Sequence, residues 1–291
     1  MTSSSRKIKS EILKVIPRNV SERQAIIAGM FCSAAKRHAN APSLSVKIDE
    51  SNSELVRRLL QSEEINSTYE DGKFTIIDSE NVKTDAFVEF YKLCFNAAAI
   101  DALASDSNFS RNFIKGVYVH CGYYSNPKQK YSVELHIHNR SITNLVIMMM
   151  RLQGIDPLVT EHEDKDVVYL SDGDKVAEFL GIIGASTALM EFEAIRVQHE
   201  MNALVNRQTN CDLGNTKRQT EAGLKRRELF KKLEQSQEIA KLTPELMEVV
   251  RLHNDNPGLS IAQLGALMDP PISKSGMNHR LQKLMEIAES L

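Results

Sequence analysis

The apolar and polar positions in the first two-thirds of the chain follow one order of elements that occurs twice. In the first unit, the hydrophobic periodicity predicts a compact helix at Glu22–Arg37, a strand at Leu44–Asp49, a helix at Ser53–Ser62, a hairpin at Asn66–Asp78 and a longer helix at Thr84–Ala104. In the second unit, it predicts a helix at Ser110–Tyr123, a strand at Tyr131–Asn139, a helix at Ser141–Gln153, a hairpin at Leu158–Ser171 and a long helix from Lys175 to Met190 or as far as His199.

Matching positions of the two units are separated by a fixed offset of about ninety residues, which is typical of an internal duplication. The matched pairs are Gly29 with Gly116, Val46 with Val133, and Ser53 with Ser141. The sequence therefore predicts an α+β fold in which an α-β-α-β-β-α unit is duplicated around a pseudo-two-fold axis. We expect the two compact helices to pack together on this axis, with the two sheets side by side beneath them.

After Met201 the periodicity is wholly helical except for a polar stretch at Glu234–Thr243. Three helices are predicted there, at Pro244–Asn254, from Ser260 until Asp269-Pro270-Pro271, and from the cap residue Ser273 to Leu291. The second helix opens with a capping-box pattern, Ser260 with Gln263. The short connection between the second and third helices indicates a helix-turn-helix.

The third helix of this module has two distinct faces. Its buried stripe consists of apolar residues at spacings of four and three, namely Met277, Leu281, Leu284, Ala288 and Leu291. The opposite face carries polar side chains suited to base edges, flanked by cations suited to phosphate. The candidate DNA-binding residues are Ser273, Lys274, Ser275, Asn278, His279, Arg280, Gln282 and Lys283. A plain three-helix bundle with a polar outer face would give the same periodicity.

The net charge of −2 gives no general indication of nucleic-acid binding, but the basic residues are unevenly distributed. A basic excess between Arg207 and Lys232 is a second candidate contact with phosphate, and a solvated helix face is the alternative interpretation. Its candidate residues are Arg207, Lys217, Arg218, Lys225, Arg226 and Arg227. The four cysteines lie far apart, no apolar run is long enough to span a bilayer, and the first residues predict a short amphipathic helix rather than a signal peptide. We therefore expect a cytoplasmic protein.

Two segments carry a family resemblance. NRQTNCDLGNTKRQTEAG at Asn206–Gly223 and DPPISKSGMNHRLQKLMEIAESL at Asp269–Leu291 closely resemble the WhiA family of bacterial regulators, and Phe113–Ile137 resembles it more weakly. The resemblance implies a duplicated LAGLIDADG-like αββαββα domain of the homing-endonuclease type, followed by an all-α helix-turn-helix domain. It also implies a role in transcription and in cell division, chromosome segregation or sporulation.

A LAGLIDADG nuclease requires an acidic residue at the end of each axial helix, because the pair holds the catalytic metal ions. The corresponding positions here are Ala34 and Cys121, so no nuclease activity, no metal and no cofactor are expected. A soft-metal site formed by His120 and Cys121 with His136 and His138 is a minor alternative. The N-terminal sheet is a further possible contact surface, for a protein partner or for weak contact with DNA.

The sequence thus predicts three segments, an N-terminal helix at 1–20, a degenerate LAGLIDADG-like domain at 21–200 with repeats 21–105 and 110–200, and a helical DNA-binding domain at 205–291. The leading hypothesis is a monomeric, nucleoid-associated transcription regulator that binds double-stranded promoter DNA through the helix-turn-helix. Another regulatory protein is a candidate partner of the N-terminal domain. The competing hypothesis is a cell-division scaffold with only accessory DNA binding.

Overall fold

Residues 3–36, 44–77 and 81–291 are described by the computed structural model, which divides the chain into two units, Met1–His199 and Glu200–Leu291. The first unit combines helices with two antiparallel sheets, and the described residues of the second unit are helical or irregular. The predicted α+β class is therefore confirmed. Within the described ranges, no helix has the combination of length and apolar character that a bilayer crossing requires.

The first repeat folds around a three-stranded antiparallel sheet with strand order β1-β3-β2. Its elements, with the helix that precedes it, are α1 (Ser3–Lys14), α2 (Val20–Ser33), β1 (Ser45–Lys47), α3 (Ser53–Ser62), β2 (Ser67–Glu70), β3 (Lys73–Ile76), α4 (Val82–Leu93) and α5 (Ala97–Ser105). The hairpin turns at Asp71 and Gly72, which both have positive φ, as the Asp-Gly pair predicts. Two predicted element ends, Arg37 and Asp78, lie outside the described residues.

The second repeat forms a four-stranded antiparallel sheet with strand order β4-β5-β7-β6. Its elements are α6 (Ser107–Cys121), β4 (Gly122–Tyr124), β5 (Val133–Ile137), α7 (Arg140–Leu152), β6 (Leu158–Glu161), β7 (Asp166–Leu170) and α8 (Gly173–Ile182). The short strand β4 has no counterpart in the sequence prediction. It is three residues long and pairs with β5, so its backbone hydrogen bonds rather than its side-chain pattern define it.

The two axial helices, α2 and α6, cross at Gly29 and Gly116. A Cβ atom on Gly29 would lie 2.1 Å from the carbonyl oxygen of Phe113, and a Cβ on Gly116 would lie 2.0 Å from that of Ile26. Phe113 and Ile26 occupy matching positions in the two repeats, as Gly29 and Gly116 do. The two contacts are therefore equivalent. This reciprocity is what a pseudo-two-fold axis produces, and it confirms the predicted packing of the compact helices.

Three predicted element boundaries need correction. Helix α1 is not separate from the domain that follows, because Ile8, Ile12 and Leu13 belong to the core of the first unit. The predicted helix Thr84–Ala104 is divided into α4 and α5. The predicted helix from Lys175 is also divided, because Gly184 adopts a φ of +76° after α8, and a new helix then begins.

That new helix, α9, runs from Ser186 to Glu234 and is followed by a short 3-10 turn at Gln237–Lys241. The remaining helices are α10 (Pro244–Asp255), α11 (Ile261–Ala266) and α12 (Lys274–Glu289). The three helices predicted after Met201 are confirmed with small shifts at their ends. Their core is joined by Leu229, Phe230 and Leu233 from the end of α9.

Candidate nucleic-acid interface

Helices α11 and α12 form the two-helix element of the predicted helix-turn-helix, and side-chain caps define where each helix begins. The Ser260 backbone N–H donates to Gln263 Oε1 at 2.9 Å, and the Gln263 N–H donates to Ser260 Oγ at 3.3 Å. The predicted capping box is therefore present. Ser273 Oγ accepts a hydrogen bond from the Gly276 N–H at 3.2 Å, which fixes the first turn of α12.

Gly265 allows the connection to turn sharply between the two helices. A Cβ atom at this position would lie 2.6 Å from the backbone oxygen of Ile272, a separation that no alanine could tolerate. The close approach lets the Ile272 N–H donate to the Gly265 carbonyl at 2.9 Å. The chain therefore returns directly to the start of α12, where Met277 is fully buried against the rest of the module.

The exposed face of α12 presents the polar side chains predicted from the helical spacing. Met277, Leu281, Leu284 and Ala288 are buried, as expected for the core stripe. The opposite side exposes the residues Ser273, Lys274, Ser275, Asn278, His279, Gln282 and Lys283. Gln282 lies seven positions after Ser275, which corresponds to about 10 Å along a helix. The structure therefore brings these candidate side chains together on one continuous surface.

The cations around this face differ in whether another side chain already engages them. Arg280 is half-buried and its Nη2 lies 3.4 Å from Glu245 Oε2, while Lys225 Nζ lies 3.2 Å from Glu289 Oε1. Lys274 and Lys283 have no ion-pair partner among the described residues. Lys274 and Lys283 are therefore available to an external anion. Arg280 and Lys225 would have to give up their present ion pairs in order to bind one.

Most of the predicted basic residues of α9 are exposed. Arg207, Lys217, Arg218 and Arg227 all face solvent, although Lys217 Nζ lies 3.9 Å from Glu221 and the Arg218 side chain bonds to Asn215 Oδ1 at 2.7 Å. Intrahelical contacts of this kind are weak and exchange readily. These cations therefore remain accessible to phosphate.

Arg226 is the exception, and its assignment as a surface contact needs correction. Only 8% of its surface is exposed, and its Nε has no hydrogen-bond partner among the described residues. It lies beside the buried imidazole of His253, which packs edge-on against Phe230 at 5.2 Å. Burial, reinforced by the charges of Arg226 and Arg227, lowers the pKa of His253 to about 4. Arg226 therefore belongs to the interior of the second unit.

A second group of polar side chains lies where the axial helices α2 and α6 end. Ser33 Oγ lies 2.9 Å from His120 Nδ1, and these two residues occupy matching positions in the repeats. The next matched pair is Ala34 and Cys121, in which the Cys121 thiol donates to the Val117 carbonyl at 3.3 Å. Neither side chain of this pair carries a carboxylate.

Lys9 of α1 completes this cluster, and the sequence interpretation missed it. The side chain is 1% exposed and Nζ donates to the His120 carbonyl at 3.4 Å. Burial lowers the pKa of Lys9 to about 8, and burial together with the Lys9 charge lowers the pKa of His120 to about 3. The sequence contained one indication that Lys9 is buried. Its spacing from Ser5, Ile8 and Ile12 places all four residues on one face of the helix.

Comparison with known proteins assigns both units to one family. The model of the WhiA C-terminal HTH domain matches residues 205–288, and the model of the WhiA LAGLIDADG-like domain matches residues 110–202. Together these matches span more than half of the chain. The chain belongs to the WhiA family.

Named relatives of this WhiA protein include clostridial sequences. The "Probable cell division protein WhiA" of Clostridium novyi (strain NT) is 33% identical over 191 residues, which span 66% of this chain but only 60% of the relative. The protein of the same name from Clostridium perfringens (strain SM101) is 27% identical over 310 residues, which span 99% of this chain and 98% of the relative.

A solved structure shows the same fold across the whole chain. Full-length DUF199/WhiA from Thermatoga maritima superposes with a TM-score of 0.60 at 18% sequence identity, and the match spans 98% of each chain. At this identity the likeness establishes the fold alone. It therefore supports the arrangement of elements described above for this chain and assigns no role to any residue.

The histidines considered for a soft-metal site in this WhiA protein have separate partners. His136 Nε2 lies 3.1 Å from Glu134 Oε2, and its Nδ1 lies 3.3 Å from Lys165 Nζ. His138 Nδ1 lies 2.8 Å from the Asp164 carbonyl oxygen. In the part of the chain that the structure describes, no three His, Cys, Asp or Glu side chains are grouped to hold a metal ion. The structure therefore gives no support to that alternative.

Proposed function

We propose that this WhiA protein is a sequence-specific regulator that binds duplex DNA through the exposed face of α12. The observation that carries the proposal is an exposed polar row, Ser275, His279 and Gln282, beside Lys274 and Lys283, which have no ion-pair partner among the described residues. Its relatives are named cell division proteins, which supports a role in controlling cell division. Residues 205–291 act as the DNA-binding domain in this proposal, and residues 21–200 as its non-catalytic companion.

The dimensions of α12 fit the proposed role. The major groove of B-DNA is about 12 Å wide and admits one α-helix, whose first two turns contact base edges. Hydroxyl, amide and imidazole groups of the polar row would form hydrogen bonds with bases, while the two lysines hold phosphates. Arg207, Lys217, Arg218, Lys225 and Arg227 supply further positive charge for the phosphate backbone in this proposal.

A double charge reversal tests the proposal directly. Lys274→Glu/Lys283→Glu should weaken binding of the full chain to duplex DNA by about a hundredfold or more, because two charge-assisted contacts of about 1.5–3 kcal/mol are lost. Folding should persist, since Lys274 lies in the first turn of α12, where a negative charge is favourable. Fluorescence anisotropy over a range of salt concentrations would measure both the affinity and the salt dependence.

Lys83→Glu provides the matched control, because Lys83 is an exposed lysine on α4 of the first unit. Its reversal changes the net charge in the same direction but leaves α12 intact, so the affinity should change little. Equal losses in the control and in the double variant would contradict a role for α12. An unchanged affinity in the double variant would contradict it as well.

We further propose that the LAGLIDADG-like domain does not cleave DNA. Ala34 and Cys121 offer no carboxylate, and Lys9 places a cationic group beside the helix ends where metal ions would need negative charge. Supercoiled plasmid should remain intact when incubated with the full chain and Mg²⁺ or Mn²⁺. Nicking that disappears in a Cys121→Ala variant would contradict this proposal.

A scaffold role in cell division is the second candidate function. The near-neutral net charge of −2 and the existing ion pairs of Arg280 and Lys225 favour weaker DNA binding. Chromatin immunoprecipitation with and without residues 205–291 separates the two. Defined promoter peaks that depend on this segment support the regulator, and they place the protein on the nucleoid in the cytoplasm. Diffuse signal supports the scaffold.

A further inference from the structure

The arginine of α12 is engaged by a carboxylate of the neighbouring helix α10. Arg280 Nη2 lies 3.4 Å from Glu245 Oε2, and 26% of the Arg280 side chain is exposed, against 70% of the Glu245 side chain. Arg280 is the one arginine among the candidate DNA-binding residues of α12. A guanidinium can hold a phosphate through two parallel hydrogen bonds, which the ammonium group of a lysine cannot do. Glu245 therefore occupies the cation of α12 that is best suited to a phosphate.

The position of Arg280 on α12 brings it close to the proposed DNA-binding face. Gly276 lies four positions before it and Lys283 three positions after it, so all three share one side of the helix. Side chains of a helix point towards its N-terminus, and Gly276 has no side chain to fill the space there. Neighbouring positions of this kind are about 5–6 Å apart at their Cβ atoms, so a phosphate bound by Lys283 is within reach of a released Arg280.

Glu245 does not depend on Arg280 for its place in the fold. It lies in the first turn of α10, one position after Pro244, where the helix dipole favours a carboxylate. An ion pair with this much exposure to water is weak, because solvent and salt screen it. Replacing Glu245 by a phosphate at Arg280 therefore costs little, but the cost recurs in every encounter with DNA. The released carboxylate then remains as a negative charge beside the bound phosphate.

We propose that Glu245 competes with a DNA phosphate for Arg280 and thereby sets the affinity of α12 for duplex DNA. The inference rests on the proposed DNA binding through α12 and names a residue that regulates it. A phosphate contact carries no sequence information, so Glu245 weakens binding to all duplexes by the same factor. Its consequence is a shorter stay on non-specific DNA, which a genome offers in large excess.

Glu245→Gln in the full chain releases Arg280 and preserves the size of the side chain. Its affinity for a fluorescein-labelled duplex, selected by the unaltered chain from a random library, should rise about three- to tenfold, because both the ion pair and the repulsion of phosphate are removed. A scrambled duplex of the same length should gain by the same factor. The logarithm of the binding constant should fall more steeply with the logarithm of salt concentration, by about one in slope, since the neutral pair becomes one free cation.

Two comparisons separate competition for Arg280 from a general change of charge. Glu248→Gln removes the same charge one turn further along α10, where Glu248 has no ion-pair partner among the described residues. It should change the affinity by less than about twofold, as expected for a screened surface charge. In an Arg280→Gln protein, Glu245→Gln should also have an effect of less than about twofold, because no guanidinium remains to be released.

Equal effects of Glu245→Gln and Glu248→Gln would overturn the proposal, as would equal effects of Glu245→Gln with and without Arg280. A gain confined to the selected duplex would also overturn it, because Arg280 would then contact a base. The first comparison decides the matter even if Arg280→Gln does not fold.

Lys274→Glu/Lys283→Glu is measured beside these variants to keep the two proposals apart. Unchanged affinity in this double variant contradicts the proposed DNA binding through α12 itself. Weakened affinity there, together with no gain in Glu245→Gln, contradicts only the competition for Arg280.

Discussion

The end of the axial helices and the start of α12 both gather polar side chains at helix termini, but they differ in how those groups are satisfied. At the axial helices, Ser33 and His120 are in contact with each other and Lys9 is bonded to the backbone; Ser33 and Lys9 are buried and His120 is partly buried. On α12, His279 and Gln282 are exposed and have no partner among the described residues. Polar groups that satisfy one another stabilise a fold, whereas those that remain free are available to a ligand.

The histidines of the two units show the same difference between buried and exposed polar groups. His253 is buried and His120 is partly buried, each beside a cationic side chain, and burial lowers the pKa of His120 to about 3 and that of His253 to about 4. Both imidazoles are therefore neutral at pH 7 and belong to the interior. His279 is exposed on α12 instead. The position of a histidine in the fold, rather than its presence, distinguishes a structural role from a candidate reading role.

The largest effect is expected at the crossing of the axial helices. Gly29→Ala would place a Cβ atom 2.1 Å from the Phe113 carbonyl oxygen, a backbone atom that moves only if the helices separate. The free energy of unfolding should fall by about 3 kcal/mol or more. Urea unfolding followed by tyrosine fluorescence reports on this unit alone, because the chain has no tryptophan and all its tyrosines precede residue 200.

Gly181→Ala is the control for this variant. Gly181 lies in α8, and an added Cβ there would meet only the Leu189 side chain at an ordinary distance of 3.9 Å. This substitution should stabilise the unit by up to about 1 kcal/mol, because alanine favours the helix. A Gly29→Ala protein as stable as the Gly181→Ala protein would refute the close crossing of α2 and α6.

A smaller effect of opposite sign is expected from Lys9. Because burial lowers the pKa of Lys9 from 10.5 to about 8, its ammonium form is disfavoured in the folded state by an amount on the order of 3 kcal/mol. Lys9→Met should therefore raise the free energy of unfolding by that order at pH 7. A less stable Lys9→Met protein would contradict this prediction. It would show that the hydrogen bond from Lys9 to the His120 carbonyl contributes more to stability than burial of the lysine costs.

The pH dependence gives a second measurement on the same pair of proteins. The Lys9 penalty is fully present below pH 8, where the lysine is charged in both states, and it shrinks as pH rises through 8 towards 10.5, since the unfolded chain then binds more protons. The advantage of Lys9→Met should narrow by roughly 1 kcal/mol between pH 7 and pH 9. Both proteins should carry Cys121→Ala in this measurement, because the Lys9 charge lowers the pKa of Cys121 and the titration of that thiol would otherwise differ between them.

The sequence predicted the repeated fold because its signals were local or periodic. The Asp-Gly turn and the cap residues Ser260 and Ser273 each specify a backbone geometry that does not depend on distant contacts, and the Gly29 and Gly116 pair was found through the offset between the two repeats. Strand β4 was missed because its three residues form a strand only through pairing with β5.

The candidate site, like the fold, was predictable where its signal was periodic and not where it depended on tertiary contacts. The exposed face of α12 followed from its spacing, since each helix turn places the same positions outward. Arg226 was misplaced because a basic stretch shows charge but not which of its members faces α10. Lys9 was missed because its burial depends on α6, whose His120 carbonyl and Tyr118 ring contact it and which is distant in the sequence from α1.

The last prediction separates contacts with bases from contacts with phosphate on α12. His279→Ala and Gln282→Ala should each reduce the preference for the selected DNA site over single-base variants by about 1–2 kcal/mol, because contacts with base edges carry sequence information. Lys283→Ala, which changes a neighbouring residue of the same helix, should weaken all sequences alike and lower the salt slope by about one. Sites selected from a random library by the unaltered protein provide the probes, and anisotropy on each single-base variant gives the preference. If His279→Ala and Lys283→Ala lower affinity for every sequence equally, α12 lies along the phosphate backbone and does not read bases.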